Sequence, residues 1–138
     1  MNIKQLMSKR ISTVALDDTL KTVQNKLKNT GYHHLLVVED KKLCGIISDR
    51  DLFKALSPNL DTINETFKDL STLDKKVHQI MSRKLITSTL DANIYDIISL
   101  LNQHNISCVP IVDEQQIPVG IITSRDILKA LELQHKNQ

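Results

Sequence analysis

The sequence Gly-Ile-Ile-Ser-Asp-Arg-Asp at residues 45–51 returns almost unchanged as Gly-Ile-Ile-Thr-Ser-Arg-Asp at residues 120–126. In both places an apolar run typical of a β-strand ends at a hydroxyl side chain, and a helical pattern begins directly after it. The same order of residues extends outward, so that residues 3–56 match residues 77–131 with one extra residue in the second copy. Agreement in one order over such a length indicates an internal repeat, whose copies need each other to bury their apolar faces.

Each copy has the same predicted order of elements, β-α-β-β-α, which gives an α/β (α+β) fold. After a short extended piece, Asp17 and Asp91 are the expected N-caps of the first helix of each copy. Gly31 and Asn105 follow these helices at equivalent positions, and both residue types tolerate the left-handed conformation that ends a helix. The predicted extended pieces are 11–14 and 85–88, the strands are 35–39, 43–48, 108–113 and 119–123, and the closing helices are 49–56 and 124–133.

A polar stretch separates the copies, so we divide the chain into copy 1 at residues 1–58, a linker at 59–76 and copy 2 at 77–138. Apolar residues spaced 3, 4 and 3 apart predict a short amphipathic helix in the linker, at Leu60, Ile63, Phe67 and Leu70. We expect this helix to pack as a strap on the two copies. The alternative is a regulatory helix that faces a partner.

The composition excludes several classes of protein. The chain has 138 residues, a formal net charge of +2, two Tyr, two Phe and no Trp. A charge so near zero gives no electrostatic footprint for nucleic acid, and so few rings cannot form a stacking platform for unpaired bases. The longest aliphatic run, at residues 35–38, is far too short to span a bilayer. We therefore expect a cytoplasmic protein with no membrane or nucleic-acid partner, whose Cys44 and Cys108 are reduced thiols.

The sequence lacks the motifs of common enzymes: it has no Gly-rich phosphate loop, no His-Glu-x-x-His and no Gly-x-Ser-x-Gly. His33 and His34 are adjacent at the start of a predicted strand and would point to opposite sides, so they are poor partners for one metal ion. We therefore expect no catalytic residue, no metal site and no enzymatic activity.

The repeated heptad offers two interpretations. The first is a ligand site, because a helix N-terminus presents unpaired N–H groups to a phosphate, the hydroxyl of Ser48 or Thr123 can donate to it, and a first-turn Asp can accept from a ribose diol. The second is a capping box, in which the hydroxyl and the Asp (Asp51 or Asp126) stabilise the start of the helix without any ligand.

The repeated pattern closely resembles the CBS domain, the cystathionine β-synthase domain. The resemblance rests on Met-Ser ahead of the extended piece, on Leu-Leu-Val-Val-Glu-Asp or Val-Pro-Ile-Val-Asp-Glu, and on the heptad, and it covers nearly the whole chain. Two copies in tandem resemble the CBS pair, or Bateman module. The resemblance implies two repeats packed pseudo-symmetrically as one stand-alone regulatory module. It also implies a homodimer, and the faces near Phe53 and Leu128 are the expected dimer surface.

CBS pairs typically bind adenosine-containing ligands in clefts between the repeats, and the resemblance carries this expectation to particular residues. In copy 2 the phosphate would contact Thr123, with Arg125 nearby, and the ribose hydroxyls would contact Asp126. The adenine would lie near Thr89, Ile106, Ser107, Cys108 and Ile121. The matching residues of copy 1 are Ala15, Tyr32, His33, His34, Ile46, Ser48, Arg50 and Asp51.

Copy 1 departs from the family pattern where the base would bind. Leu36 replaces the usual proline, which copy 2 keeps as Pro110. The sequence Tyr-His-His at residues 32–34 is also bulkier than Ile-Ser-Cys at residues 106–108. We therefore favour the copy 2 site.

Two functions follow from the resemblance. The first is a non-enzymatic sensor that requires no cofactor, binds AMP, ADP or ATP, with NAD and S-adenosylmethionine as further candidates, and acts on an unidentified enzyme or transporter. The second is a ligand-free structural or oligomerisation module in which Ser48 and Thr123 serve only as helix caps. A homodimer is expected in either case.

Overall fold

The computed structural model describes residues 2–138, which form a mixed α+β fold of helices and small sheets in two compact units. Ser12–Leu85 make up the first (the 12–85 unit), and Ile86–Gln138 join the N-terminal segment up to Ile11 in the second (the 86–138 unit). In chain order, the elements are α1 (Ile3–Leu6), β1 (Thr13–Val14), α2 (Leu20–Thr30), β2 (His34–Glu39), β3 (Lys42–Ser48), α3 (Asp49–Ala55), α4 (Phe67–Ser71), a 3₁₀ turn (Thr72–Asp74), α5 (Val77–Ile80), α6 (Ile94–His104), β4 (Cys108–Val112), β5 (Pro118–Thr123) and α7 (Ser124–Lys136).

A three-stranded sheet in the order β1-β2-β3 organises the 12–85 unit. Strand β1 runs parallel to β2, and β2 runs antiparallel to β3. The β2–β3 hairpin turns through Asp40 and Lys41, which both have a positive φ as a tight two-residue turn requires. The core of the unit is aliphatic and includes Val14, Leu20, Val23, Leu27, Leu35, Val37, Ile47, Leu52, Val77 and Met81.

An antiparallel pair, β4 and β5, organises the 86–138 unit and aligns Cys108 with Thr123. The extended piece predicted at residues 85–88 forms no strand; it contributes one parallel bridge, between Ser88 and Ile111. The core of this unit is also aliphatic and includes Ile3, Ile94, Ile97, Leu101, Val109, Ile111, Ile122 and Ile127.

The segment that begins each copy folds against the strands of the other copy. Ser8 and Ile121 exchange two backbone hydrogen bonds of 2.8 and 3.0 Å, and Ser82 and Ile46 exchange two of 2.8 and 3.1 Å. Each segment thereby pairs with the free side of a hairpin and satisfies its backbone groups. The compact units of the structure therefore do not coincide with the copies in the sequence.

The exchanged segments explain why glycine and methionine both recur. A Cβ atom on Gly45 would lie 2.5 Å from Met81 Sδ, and one on Gly120 would lie 2.6 Å from Met7 Sδ. Such distances are far below ordinary van der Waals contact, so a side chain at either glycine forces its neighbour to move. In each unit, the Met of the repeated Met-Ser therefore packs directly against the repeated Gly of the other copy.

Helices α2 and α6, which correspond to the first predicted helix of each copy, begin two residues later than predicted. Thr19 caps α2, because its side chain accepts from the Thr22 N–H, and Asn93 caps α6 through the Asp96 N–H. The predictions of Asp17 and Asp91 as N-caps are therefore wrong. In each copy the cap directly precedes a buried apolar residue, which is the stronger indication of a helix start.

The helix ends agree with the sequence, but two short helices were not predicted from it. Gly31 and Asn105 both adopt the left-handed conformation after their helices, with φ of 72° and 53°. Helices α1 and α5 span four residues each, too few for an apolar period to be recognised.

The amphipathic strap predicted in the linker does not form. Only α4 and the 3₁₀ turn are helical there, and the chain before α4 passes through Asp61 in a left-handed conformation with φ of 60°. Ile63 and Phe67 are exposed rather than packed (102% and 89%). The spacing of apolar residues predicted a helix, but within residues 2–138 no surface buries Ile63 or Phe67.

Candidate functional site

Each copy of the heptad folds into a strand–helix junction closed by a capping box. In copy 2, Thr123 Oγ1 accepts a hydrogen bond from the Asp126 backbone N–H at 3.1 Å, and Asp126 Oδ2 accepts one from the Thr123 N–H at 2.9 Å. In copy 1, Ser48 and Asp51 make the same two bonds at 3.1 and 2.9 Å. The shorter side chain of Asp therefore reaches back to the N-cap amide, and the capping interpretation is confirmed in both copies.

The capping box leaves polar groups available to a ligand. A hydroxyl carries one donor hydrogen and two acceptor lone pairs, and the box uses one lone pair of Thr123. Among residues 2–138, the Thr123 hydroxyl hydrogen meets no protein acceptor, and Asp126 Oδ1 accepts no hydrogen bond. The junction can therefore donate to a phosphate oxygen and accept from a ribose hydroxyl while its helix stays capped.

The strand pairing gathers most of the predicted copy 2 residues around Thr123. Cys108 pairs with Thr123 in the β4–β5 ladder, and the Ser107 carbonyl accepts from the Ser124 N–H at 2.8 Å. Ile121 lies two residues before Thr123 on the same strand, and Ile106 precedes β4. The register of the hairpin therefore places Cys108 opposite Thr123, with Ser107 beside the start of α7.

Two predicted residues of copy 2 are less closely tied to the junction. Thr89 follows Ser88, which bridges to Ile111 on β4, so Thr89 sits at the end of a segment beside that strand. Arg125 is exposed on the first turn of α7, and no hydrogen bond within the described part of the chain joins its side chain to the capping box.

Copy 1 repeats this arrangement with different chemistry. His34 pairs with Ser48, the Ile46 carbonyl and N–H are engaged by Ser82, and the His33 carbonyl accepts from the Asp49 N–H at 2.9 Å. Further along the copy 1 set, Tyr32 is half-buried, Arg50 is exposed, and the Ala15 N–H donates to Asp18 Oδ2 at 2.8 Å.

Burial sets the protonation of two residues predicted to flank the base. It raises the pKa of the Cys108 thiol to about 12, so this side chain is a neutral, apolar neighbour at physiological pH. Burial also lowers the pKa of His34, against the smaller opposing effects of Asp49 and Asp51, so His34 favours its neutral form.

A contact that the sequence did not predict distinguishes the copy 1 junction. His33 Nδ1 lies 2.8 Å from Asp49 Oδ2, so the first residue of α3 holds a carboxylate beside an exposed imidazole. The spacing of 16 residues gave no local signal for this pair; only the strand–helix topology brings it together.

A cavity of about 380 Å³ lies beside the copy 2 junction, between the end of α6 and the start of α7. Ile106 and Ser124 line it at the junction side, and most of its remaining lining is aliphatic.

Between residues 2 and 138, no three His, Cys, Asp or Glu side chains are placed to hold a metal ion. None of the helices described for this chain is both long and apolar enough to cross a membrane.

Comparison with curated proteins finds relatives of different lengths. The chain is 35% identical over 131 residues to the CBS domain-containing protein DDB_G0289609 of Dictyostelium discoideum, covering 94% of this chain and 90% of that protein. It is 32% identical to protein MJ0188 of Methanocaldococcus jannaschii, of which it spans 44%, and 26% identical to a homoserine O-acetyltransferase of Methanococcus vannielii, of which it spans 25%. In both alignments almost the whole of this chain is covered, at 94% and 95%.

Solved structures share the fold. The CBS domain pair of protein MJ0100, in complex with 5′-methylthioadenosine and S-adenosyl-L-methionine, superposes with a TM-score of 0.80 at 28% identity, covering 97% of this chain and 98% of that one. The cytosolic domain of the Mg²⁺ channel MgtE, solved in complex with ATP, matches with a TM-score of 0.75 at 24% identity, over 94% of this chain and 48% of that one, and at this identity supports the fold alone.

The family model of the CBS domain matches this chain twice, at residues 3–58 and at residues 77–133. These stretches contain both copies of the heptad, both capping boxes and the two glycines, Gly45 and Gly120, against which a methionine packs. The chain belongs to the CBS domain family.

Proposed function

We propose that this chain is a non-enzymatic regulatory module that binds an adenosine-containing ligand at the copy 2 junction. One observation carries the proposal: Thr123 and Asp126 stay capped yet keep a hydroxyl hydrogen and a carboxylate oxygen for a ligand. A CBS domain pair of 28% identity, solved with two adenosine-containing molecules, supports the class of ligand. We retain residues 1–58 and 77–138 as the two copies and 59–76 as their linker.

The chemistry of the junction assigns a part of the ligand to each side chain. The Ser124 and Asp126 N–H groups are already engaged within the junction. The Thr123 hydroxyl and the Arg125 N–H therefore donate to a phosphate, and Asp126 Oδ1 accepts from the ribose diol. Ile106, Ile121 and the neutral Cys108 thiol offer apolar and small surfaces to the adenine. With no aromatic platform to stack on, the ribose and phosphate contacts supply most of the affinity.

A ligand panel tests the proposal through the melting temperature. A ligand that binds only the folded chain adds about 2.7 kcal/mol at a hundredfold excess over its Kd. For a chain of this size that raises the melting temperature by roughly 10 °C. We expect such a shift from at least one of AMP, ADP, ATP, NAD and S-adenosylmethionine at millimolar concentration; no shift from any of them contradicts the proposal.

A matched pair of variants tests the location of the site. Asp126→Ala and Asp51→Ala each remove one capping box and should destabilise the free protein similarly, by about 1 kcal/mol. The ligand-induced shift should fall far more in Asp126→Ala than in Asp51→Ala. If Asp51→Ala abolishes it and Asp126→Ala does not, the site is in copy 1.

The ligand is proposed to act on a separate enzyme or transporter. The chain spans only 25% of the acetyltransferase to which it is similar, and the two copies of the CBS domain account for most of its own length. We therefore propose that the chain contributes regulation and none of the transferase chemistry.

A homodimer without ligand is the second candidate function. Large apolar side chains are exposed on α3 and α7, including Phe53 at 71% and Leu128 at 65%. Light scattering after size exclusion should give a dimer that Phe53→Glu or Leu128→Glu dissociates. The control Ile63→Glu places the same charge on a fully exposed apolar residue of the linker and should leave the dimer intact. A monomeric wild-type chain would contradict this candidate.

A further inference from the structure

We propose that the first residue of the helix that begins within each heptad decides whether a junction accepts phosphate: Ser124 admits it in copy 2, and Asp49 excludes it in copy 1. This inference rests on the proposed function and assigns its specificity. The two junctions share their backbone geometry, because the Asp49 N–H donates to the His33 carbonyl at 2.9 Å and the Ser124 N–H donates to the Ser107 carbonyl at 2.8 Å. The capping boxes also match.

The charges at the junctions differ although the backbones agree. Copy 1 places carboxylates on Asp49 and Asp51 and one cation, Arg50, in the first turn of α3. Copy 2 has one carboxylate, on Asp126, and one cation, Arg125, in the first turn of α7. The side chains of the first helical turn therefore carry a net negative charge towards a phosphate in copy 1, whereas their charges cancel in copy 2.

The carboxylate of Asp49 is held at the junction rather than swinging freely into solvent. Its Oδ2 lies 2.8 Å from His33 Nδ1, and its side chain is 35% exposed. His34, the other imidazole at this junction, favours its neutral form because it is largely buried, so it does not offset the charge.

A charge swap tests the inference with two probes that share adenosine but differ in charge. AMP carries a phosphate, and 5′-methylthioadenosine is uncharged at that position. Calorimetric titration at about pH 8, where free histidine is largely neutral, gives the ratio of the two affinities. Ser124→Asp should lower the AMP affinity relative to 5′-methylthioadenosine by at least about tenfold, because a carboxylate then faces the phosphate.

The control Ser124→Asn has the shape of Ser124→Asp without its charge, and it should leave the ratio within about twofold of the wild-type value. An acidic residue in the first turn favours the helix, so Ser124→Asp is expected to fold. In the Asp126→Ala background, where copy 1 is the remaining junction, Asp49→Asn should raise the relative affinity for AMP.

The outcomes separate this inference from the proposed function. If neither probe binds the wild-type chain, the adenosine site itself fails. If the probes bind but Ser124→Asp and Ser124→Asn change the ratio equally, charge at this position does not select phosphate and the inference is overturned. It is also overturned if Asp49→Asn leaves the relative affinity for AMP unchanged.

Discussion

Replacing Gly120 by alanine should destabilise the protein because two neighbours occupy the space of the new Cβ. That atom would lie 2.6 Å from Met7 Sδ and 2.9 Å from the Ser8 carbonyl oxygen, where ordinary contact distances are about 3.5–4 Å. The thioether can rotate away, but the Ser8 carbonyl is backbone that accepts from the Ile121 N–H at 3.0 Å, and the Ser8 N–H donates back to the Ile121 carbonyl at 2.8 Å. Overpacking of this kind costs about 1–3 kcal/mol, and each bond lost adds about 1 kcal/mol.

We therefore expect Gly120→Ala to lower the free energy of unfolding by about 2–3 kcal/mol, measured by urea denaturation followed by circular dichroism. Gly45→Ala meets Met81 Sδ at 2.5 Å but its backbone neighbour, the Ser82 oxygen, only at 3.1 Å. A double-mutant cycle should accordingly show more rescue of Gly45→Ala by Met81→Ala than of Gly120→Ala by Met7→Ala. A Gly120→Ala variant within about 0.5 kcal/mol of the wild type would refute the packing of the exchanged segment.

Three further predictions follow from the backbone and the titrating groups. Gly31→Ala should lower the free energy of unfolding by about 1–2 kcal/mol through its left-handed backbone alone, since nothing lies within 4 Å of the new Cβ. Gly31→Asn should lower it less, because Asn105 adopts the same conformation in the other copy. Thermal denaturation compares the two variants. Burial lowers the pKa of His34 in the folded state, so the unfolded chain binds that proton more tightly. The free energy of unfolding should therefore be highest above about pH 6.5 and decrease as the pH drops below that value. For His34→Gln, the free energy of unfolding should depend less on pH. The pKa of Cys108 is raised from its usual value to about 12, so a thiol-reactive reagent at neutral pH should modify the half-buried Cys44 well before Cys108; equal rates would contradict the burial of Cys108.

Local patterns predicted the elements that carry the candidate site. The two hairpins lie within a residue or so of their predicted bounds, because alternating apolar residues and a polar turn specify a strand pair locally. The capping boxes also follow from the heptad itself, since all their atoms come from residues three apart. What the sequence could not decide was whether the boxes leave ligand groups free, which depends on individual oxygen and hydrogen atoms.

Features that depend on distant contacts were missed. The exchange of α1 and α5 between copies joins segments far apart in the chain, and its only trace in the sequence is the joint repetition of Met-Ser and Gly. The helix predicted across the linker was wrong for the opposite reason. A helical spacing of apolar residues predicts a helix only where a surface buries those residues, and within residues 2–138 Ile63 and Phe67 are exposed.

The adenosine site at Asp126 is the central claim, and a cycle of ligand and protein changes tests it most directly. The affinity of AMP and of 2′-deoxy-AMP would be measured by calorimetry for the wild-type chain and for Asp126→Ala. A hydrogen bond from the ribose to the carboxylate contributes about 1.5–3 kcal/mol, so removing the 2′-hydroxyl should weaken wild-type binding by roughly 10- to 100-fold. The same removal should change the affinity of Asp126→Ala by less than about twofold. Equal losses in the two proteins would contradict the placement of the ribose at Asp126.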